Sequence, residues 1–187
     1  MCTPESCPAR ARGVSLIELI LFILIVSVAI VGILSVLNLT AARSSDPLIR
    51  KQALAIAESL LEEVELMPFT FCDPTDANAA TATSTAGCAS LVEALGPEPG
   101  ESRYSTTTPF NNVNDYHGFA MAGIRDLSNT LIAGLGAYNA SVSVSNGGLG
   151  LANPAEVLLI AVTVTGPGSE SVTLNGYRTR YAPNALP

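Results

Sequence analysis

RARGVSLIELILFILIVSVAIVGILSVLNL, residues 10–39, is the stretch on which the reading of the whole chain turns. Two arginines and a glycine lead into an apolar run over residues 14–39 that carries one charge, Glu18. As a helix rising 1.5 Å per residue, that run is ~39 Å long, enough to cross a hydrocarbon core of ~30 Å. A carboxylate inside hydrocarbon costs a few kcal/mol unless something partners it, so Glu18 needs a physical reason. Arg10 and Arg12 on the amino-terminal flank predict an N-inside orientation, which places everything after residue 40 outside the cytoplasm. A signal anchor with a stray glutamate is the plain alternative.

The order of those residues resembles a known signal. G-V-S-L-I-E-L, residues 13–19, is similar to the processing site of type IV pilins and type II secretion pseudopilins. The resemblance implies that a prepilin peptidase cuts after Gly13 and that the new terminal amine of Val14 is methylated. Val14 itself differs from the Phe or Met commonest at that position. Glu18, fifth in the processed chain, then matches the family's glutamate. Pairing with the terminal ammonium of a neighbouring subunit makes such a carboxylate tolerable in lipid and sets the axial register of a filament. The leader, residues 1–13, is polar and lacks the apolar core of a secretory signal peptide. Its Cys2 and Cys7 have no nearby His or further Cys to complete a metal site.

Composition narrows the remainder. With 187 residues, the length suits one domain plus an anchor. Charged residues make up only 13% and the formal charge is -7. Removing the leader takes away two arginines and one glutamate, so the processed chain carries -8. An acidic, lysine-poor chain is a poor candidate for electrostatic capture of nucleic acid, and no nucleic-acid partner is expected. Pro, Gly, Ser, Thr, Asn and Ala crowd the chain after residue 70, which suits a loop-rich β head rather than a dense enzyme core.

A second helix follows the anchor. In RSSDP, residues 43–47, Asp46 and Pro47 suit a helix N-cap and first position, so a bend or short break is expected there with the helix resuming at Pro47. Gly32 is the one residue in the anchor comparable to the helix breaker found in pilin stems. Ile49, Ala53, Ile56, Leu60, Val64 and Met67 recur at spacings of three and four, widened by Leu54, Ala57 and Leu61. That is one apolar stripe of an amphipathic helix, predicted to bury against a sheet and to end at Pro68. Glu58, Glu62, Glu63 and Glu65 occupy the rest, read as a solvated acidic face, or alternatively as a contact strip for cations on adjacent subunits.

The head offers few chemical groups. Cys72 and Cys88 are the two cysteines of the exported part and read as a disulfide closing a Thr/Ala/Ser-rich loop. In NNVNDYHGF, residues 111–119, Asn112, Asn114 and Asp115 are calcium-ligand candidates, though with one carboxylate and no EF-hand spacing an Asn/Asp-rich turn is the plainer reading. His117, the sole histidine, has no recognisable nucleophile pattern around it. Residues 138–145 and 156–165 read as strands, GPGSE as a turn, and residues 171–181 as a returning strand with a bulge or second turn at Asn175-Gly176. Past that point Tyr177, Thr179 and Tyr181 are expected on one face and Arg178 and Arg180 on the other, the arginines blunting an exposed strand edge or meeting a neighbour's acidic helix face.

The words DPLIRKQALAIAESLLEEVELMPF with Cys72-Asp-Pro, and VTVTGPG with GYRTRYAPN, resemble MshD-type minor pilins of the mannose-sensitive haemagglutinin (MSHA) pilus system. The fold expected is α+β: a long N-terminal helix, part membrane anchor and part amphipathic, packed on a small antiparallel sheet, as in pilins. The organisation expected is a leader at 1–13, a transmembrane or filament-core helix at 14–42, an amphipathic helix at 43–70 and a β-rich head at 71–187. The resemblance implies a structural subunit that primes or caps a surface filament, not an enzyme. Implied partners are major and minor pilins, prepilin peptidase, the inner-membrane assembly platform and, before assembly, the bilayer; no cofactor is expected beyond the calcium candidate. A type II secretion pseudopilin and a membrane-anchored binding or adhesion protein remain the alternatives.

Overall fold

A continuous run of Leu, Ile and Val makes α1 (Leu16–Arg43), because in an apolar medium only a helix satisfies every backbone amide within one segment. The computed structural model describes residues 13, 15–43, 46–150 and 153–186. These fall into two units, Met1–Ser45 and Asp46–Pro187. In the first, α1 runs unbroken through Gly32, and the hydroxyls of Ser27 and Ser35 donate to the carbonyls of Ile23 and Val31 one turn back (2.6 and 2.8 Å). Its 23-residue stretch Leu16–Asn38 is long and apolar enough to cross a membrane, and none of it is buried.

The second unit opens with α2 (Asp46–Glu65), which has Pro47 in its first turn. The junction at residues 44–45 and the Asp46 side chain lie outside the described residues. Four strands follow: β1 (Ala120–Ala122), β2 (Asn139–Asn146), β3 (Val157–Thr165) and β4 (Ser171–Thr179). They form one antiparallel sheet in the order β1-β2-β3-β4, so each neighbour in sequence is a neighbour in space. The fold class is therefore α+β, an N-terminal apolar helix with a small antiparallel sheet.

Two periodicities meet to make the core. On α2, Ala53, Ala57, Leu60 and Val64 are buried, with Ile49, Ile56 and Leu61 half-buried beside them and Met67 joining them just past the helix end. On β2 every second residue, Ala140, Val142 and Val144, is buried while the serines between them face out. Opposite lie Val164, Val162 and Ile160 of β3 in register. Each such side chain removed from water contributes about 1.5–3 kcal/mol before entropy is counted. Leu54, expected in the stripe, is 36% exposed at its margin.

Several expectations change at β4. No bulge or turn interrupts it: Asn175 pairs with Ala161 and Gly176 with Ile160 in continuous register. The glycine is there for proximity. A Cβ at Gly176 would meet the Glu65 carboxylate and come within 2.9 Å of Leu61, both on α2, so the helix passes in close contact with the strand here. Because the strand is continuous, Arg178 shares the helix-side face with Val172 and Leu174. Arg180, just beyond the strand, does not blunt an edge either. Its guanidinium lies 3.9 Å from the centre of the Phe69 ring and 4.4 Å from that of Phe71, and it reaches Glu156 at 3.7 Å.

Candidate functional site

At the amino end, Ser15 caps α1: its hydroxyl accepts the Glu18 amide at 3.3 Å, and the Glu18 side chain is exposed on the first turn. Gly13 is exposed, whereas Val14 and the leader, with Cys2, Cys7, Arg10 and Arg12, lie outside the described residues.

In the head, the Cys72–Cys88 disulfide forms, with an S–S distance of 2.05 Å. The loop it closes is held by more than the bond. Asp76, buried inside, accepts four backbone amides: Asn78 and Ala89 on Oδ1, Ser90 and Leu91 on Oδ2, all at 2.8–2.9 Å. The Leu91, Ala89, Asn78 and Ser90 amides hold its carboxyl well below the usual range. From the C-terminal tail, Asn184 donates to the carbonyls of Ala79 and Ala82.

Directly after this loop the chain gathers acids. Cys72 and Val92 form an antiparallel bridge, with the Asp73 amide on Leu91 and the Glu93 amide on Phe71 (both 3.1 Å), so strand alternation puts Asp73 and Glu93 on one face. Glu98 and Glu101 are the two ends of a tight turn, closed by the Glu101 amide on the Glu98 carbonyl at 3.0 Å. Pro99 at its second position and Gly100 (φ 97°) at its third make it type II, which brings both side chains to the same place. Asp115 ends the polar segment: its Oδ2 accepts the amides of Asn111 (2.7 Å) and Asn112 (2.8 Å), turning the backbone at Val113–Tyr116.

The result is one cluster of five carboxylates. Oxygens of Asp73, Glu93 and Glu98 lie within 4.8 Å of one another, as do oxygens of Glu98, Glu101 and Asp115, and Glu98 belongs to both groups. Asp115 is 0% exposed, Asp73 1% and Glu93 9%. Among the described residues no Lys or Arg forms a salt bridge with any of the five. Seven buried side-chain oxygens here lack a donor: both of Glu93, Oε2 of Glu98, and Oδ1 of Asp115, Asn111, Asn112 and Asn114. Two unit charges 4 Å apart repel by about 4 kcal/mol at an effective dielectric of 20, so five carboxylates this close favour protons or a cation, with Arg180, which interacts with the Glu93 charge, offsetting part of the repulsion. Burial, then the charges of Asp115, Glu98, Asp73 and Glu101, push the Glu93 carboxyl up to about 9. Burial likewise raises Glu101 and, against the two amides it accepts, Asp115.

Of the three calcium candidates read from sequence, Asp115 is a member of this cluster. Asn112 and Asn114 share its turn with unpartnered oxygens. Asp73, Glu93, Glu98 and Glu101 were not expected, because they sit on three other segments. The available signal was a charge imbalance: residues 71–118 hold six acids and one base, Arg103. That base is committed elsewhere. Arg103 makes a two-point contact with Glu63 of α2 (both 2.7 Å), and the Tyr116 hydroxyl donates to the same carboxylate at 2.8 Å. Glu63 is thus not part of a solvated face, while Glu58 and Glu62 are exposed as expected. His117 accepts the Val144 amide on Nδ1 at 3.2 Å, tying the polar turn to β2. Comparison with known proteins finds no matching family model, curated protein or solved structure.

Proposed function

We propose that the chain is a minor type IV pilin of the MSHA kind, a structural subunit that primes or tips a surface filament. It is stored N-in in the inner membrane, processed after Gly13 by prepilin peptidase, N-methylated on Val14, and extracted by the assembly platform to join major and minor pilins. The head is then periplasmic or extracellular. The observation that carries this reading is α1, where Leu16 through Leu37 presents sixteen large apolar side chains to its surroundings. At about 1.5–3 kcal/mol each, covering them is worth tens of kcal/mol, a gain that apolar surroundings supply. A bilayer before assembly and neighbouring stems afterwards supply it in turn. The G-V-S-L-I-E-L stretch, which resembles a prepilin processing signal, and an α+β architecture with a helix on a small antiparallel sheet support the same reading.

Intact mass of the protein extracted from membranes tests it. The expected chain begins at Val14 and carries one added methyl group. A chain beginning at Met1, or an unmethylated Val14, overturns the proposal and favours a monomeric anchored protein.

A further inference from the structure

We propose that the cluster of Asp73, Glu93, Glu98, Glu101 and Asp115 is a calcium-binding site built of two ligand triads that share Glu98. An acidic patch on a surface is ordinarily solvated, with each oxygen facing water. Here three of the five side chains are at least nine-tenths buried, and Glu93, both of whose oxygens lack a partner, brings one of them within 4.8 Å of an oxygen of Asp73 and of Glu98. Asn112 spends its Nδ2 on the Thr70 hydroxyl (2.7 Å) and Asn111 its Nδ2 on Glu101 (2.9 Å), leaving both Oδ1 atoms without a donor.

The donor set selects the metal. Every available group is a carboxylate or amide oxygen, and the nearest cysteine, Cys72, is consumed in the disulfide. That excludes the thiolate and imidazole sets suited to zinc or copper. Calcium takes 6–8 oxygens at about 2.3–2.6 Å, so its ligands lie within about 5 Å of one another, as both acidic triads do. Magnesium prefers one or two carboxylates with several waters in a strict octahedron, which a crowded anionic pocket does not offer. An ion here ties the bridge at Cys72–Val92, the Glu98–Glu101 turn and the Asp115 turn to one another. The inference depends on the cluster alone and not on entry into a filament.

The test uses the full-length chain in detergent micelles, stripped with chelator, by calorimetric titration and thermal unfolding. Calcium chloride is expected to bind saturably and raise Tm by roughly 5–10 °C at saturation, with a smaller rise from magnesium. Glu98→Gln should weaken calcium binding about tenfold or more and lose most of the Tm rise. Its Tm in chelator should equal or exceed that of the unaltered chain, because a like charge has been removed, which separates lost binding from lost folding. Glu101→Gln, at a half-buried position, should act in the same direction, and Glu58→Gln on the exposed face of α2 should leave the calcium response intact. No saturable binding, an equal response to magnesium, or an undiminished response in both cluster variants overturns the assignment.

Discussion

Asp76 shows how much one side chain organises here. A carboxylate that accepts four backbone amides does for the 73–91 segment what a small core would otherwise do, since Ala79, Ala82 and the cystine provide little apolar area. The amides of Leu91, Ala89, Asn78 and Ser90 favour the charged form, so the folded-state pKa lies below the ordinary 3.8. A group lowered on folding adds stability above its unfolded pKa and loses it as pH falls. Asp76→Asn is therefore expected to lower Tm at pH 7, with the gap to the unaltered chain narrowing below about pH 4. Paired unfolding curves from pH 7 to pH 2 check this, and a constant gap would show that charge is not what holds the loop. Glu63 makes a related point. It read as one of four solvated acids, yet its contacts with Arg103 and Tyr116 lock it into the head. Nothing in the local pattern separates it from Glu62, because its partners arrive from 40 and 53 residues away.

At the scale of elements, α2 and the sheet were legible because their apolar spacing is strong. The stripe from Ile49 to Met67 and the alternation in β2 each match one period, and each period permits one buried face. Gly176 was misread because a glycine in a strand has two meanings, a bulge or a close approach, and sequence alone does not choose between them. The contact with Leu61 and Glu65 chooses the second. Gly176→Val should thus push α2 off β4 and cost about 1–3 kcal/mol, the range for overpacking a tight contact. Urea unfolding measures it; a neutral result would mean that α2 can ride further from the sheet without loss.

For the whole molecule, the two units divide the work. Glu18 belongs to the first, exposed on α1 with its backbone amide donating to the Ser15 hydroxyl. If the carboxylate sets register by meeting a neighbour's terminal ammonium, Glu18→Ala should leave membrane insertion intact and block incorporation into filaments. Fractionation and shear-released filament preparations measure the two outcomes separately, and normal assembly by the variant would sink the register role. What the sequence determined by itself was whatever depends on neighbours along the chain: the apolar helix, the amphipathic stripe, the strand alternation and the cystine, since the chain after residue 40 offers one pair of cysteines. Tertiary structure decided what depends on neighbours in space. The acidic cluster draws Asp73, Glu93, Glu98, Glu101 and Asp115 from four segments, and only the bridge at Cys72, the Pro99-Gly100 turn and the amides over Asp115 bring their charges together. Periodicity reports which face of an element is buried, whereas electrostatic convergence between loops has no period to read.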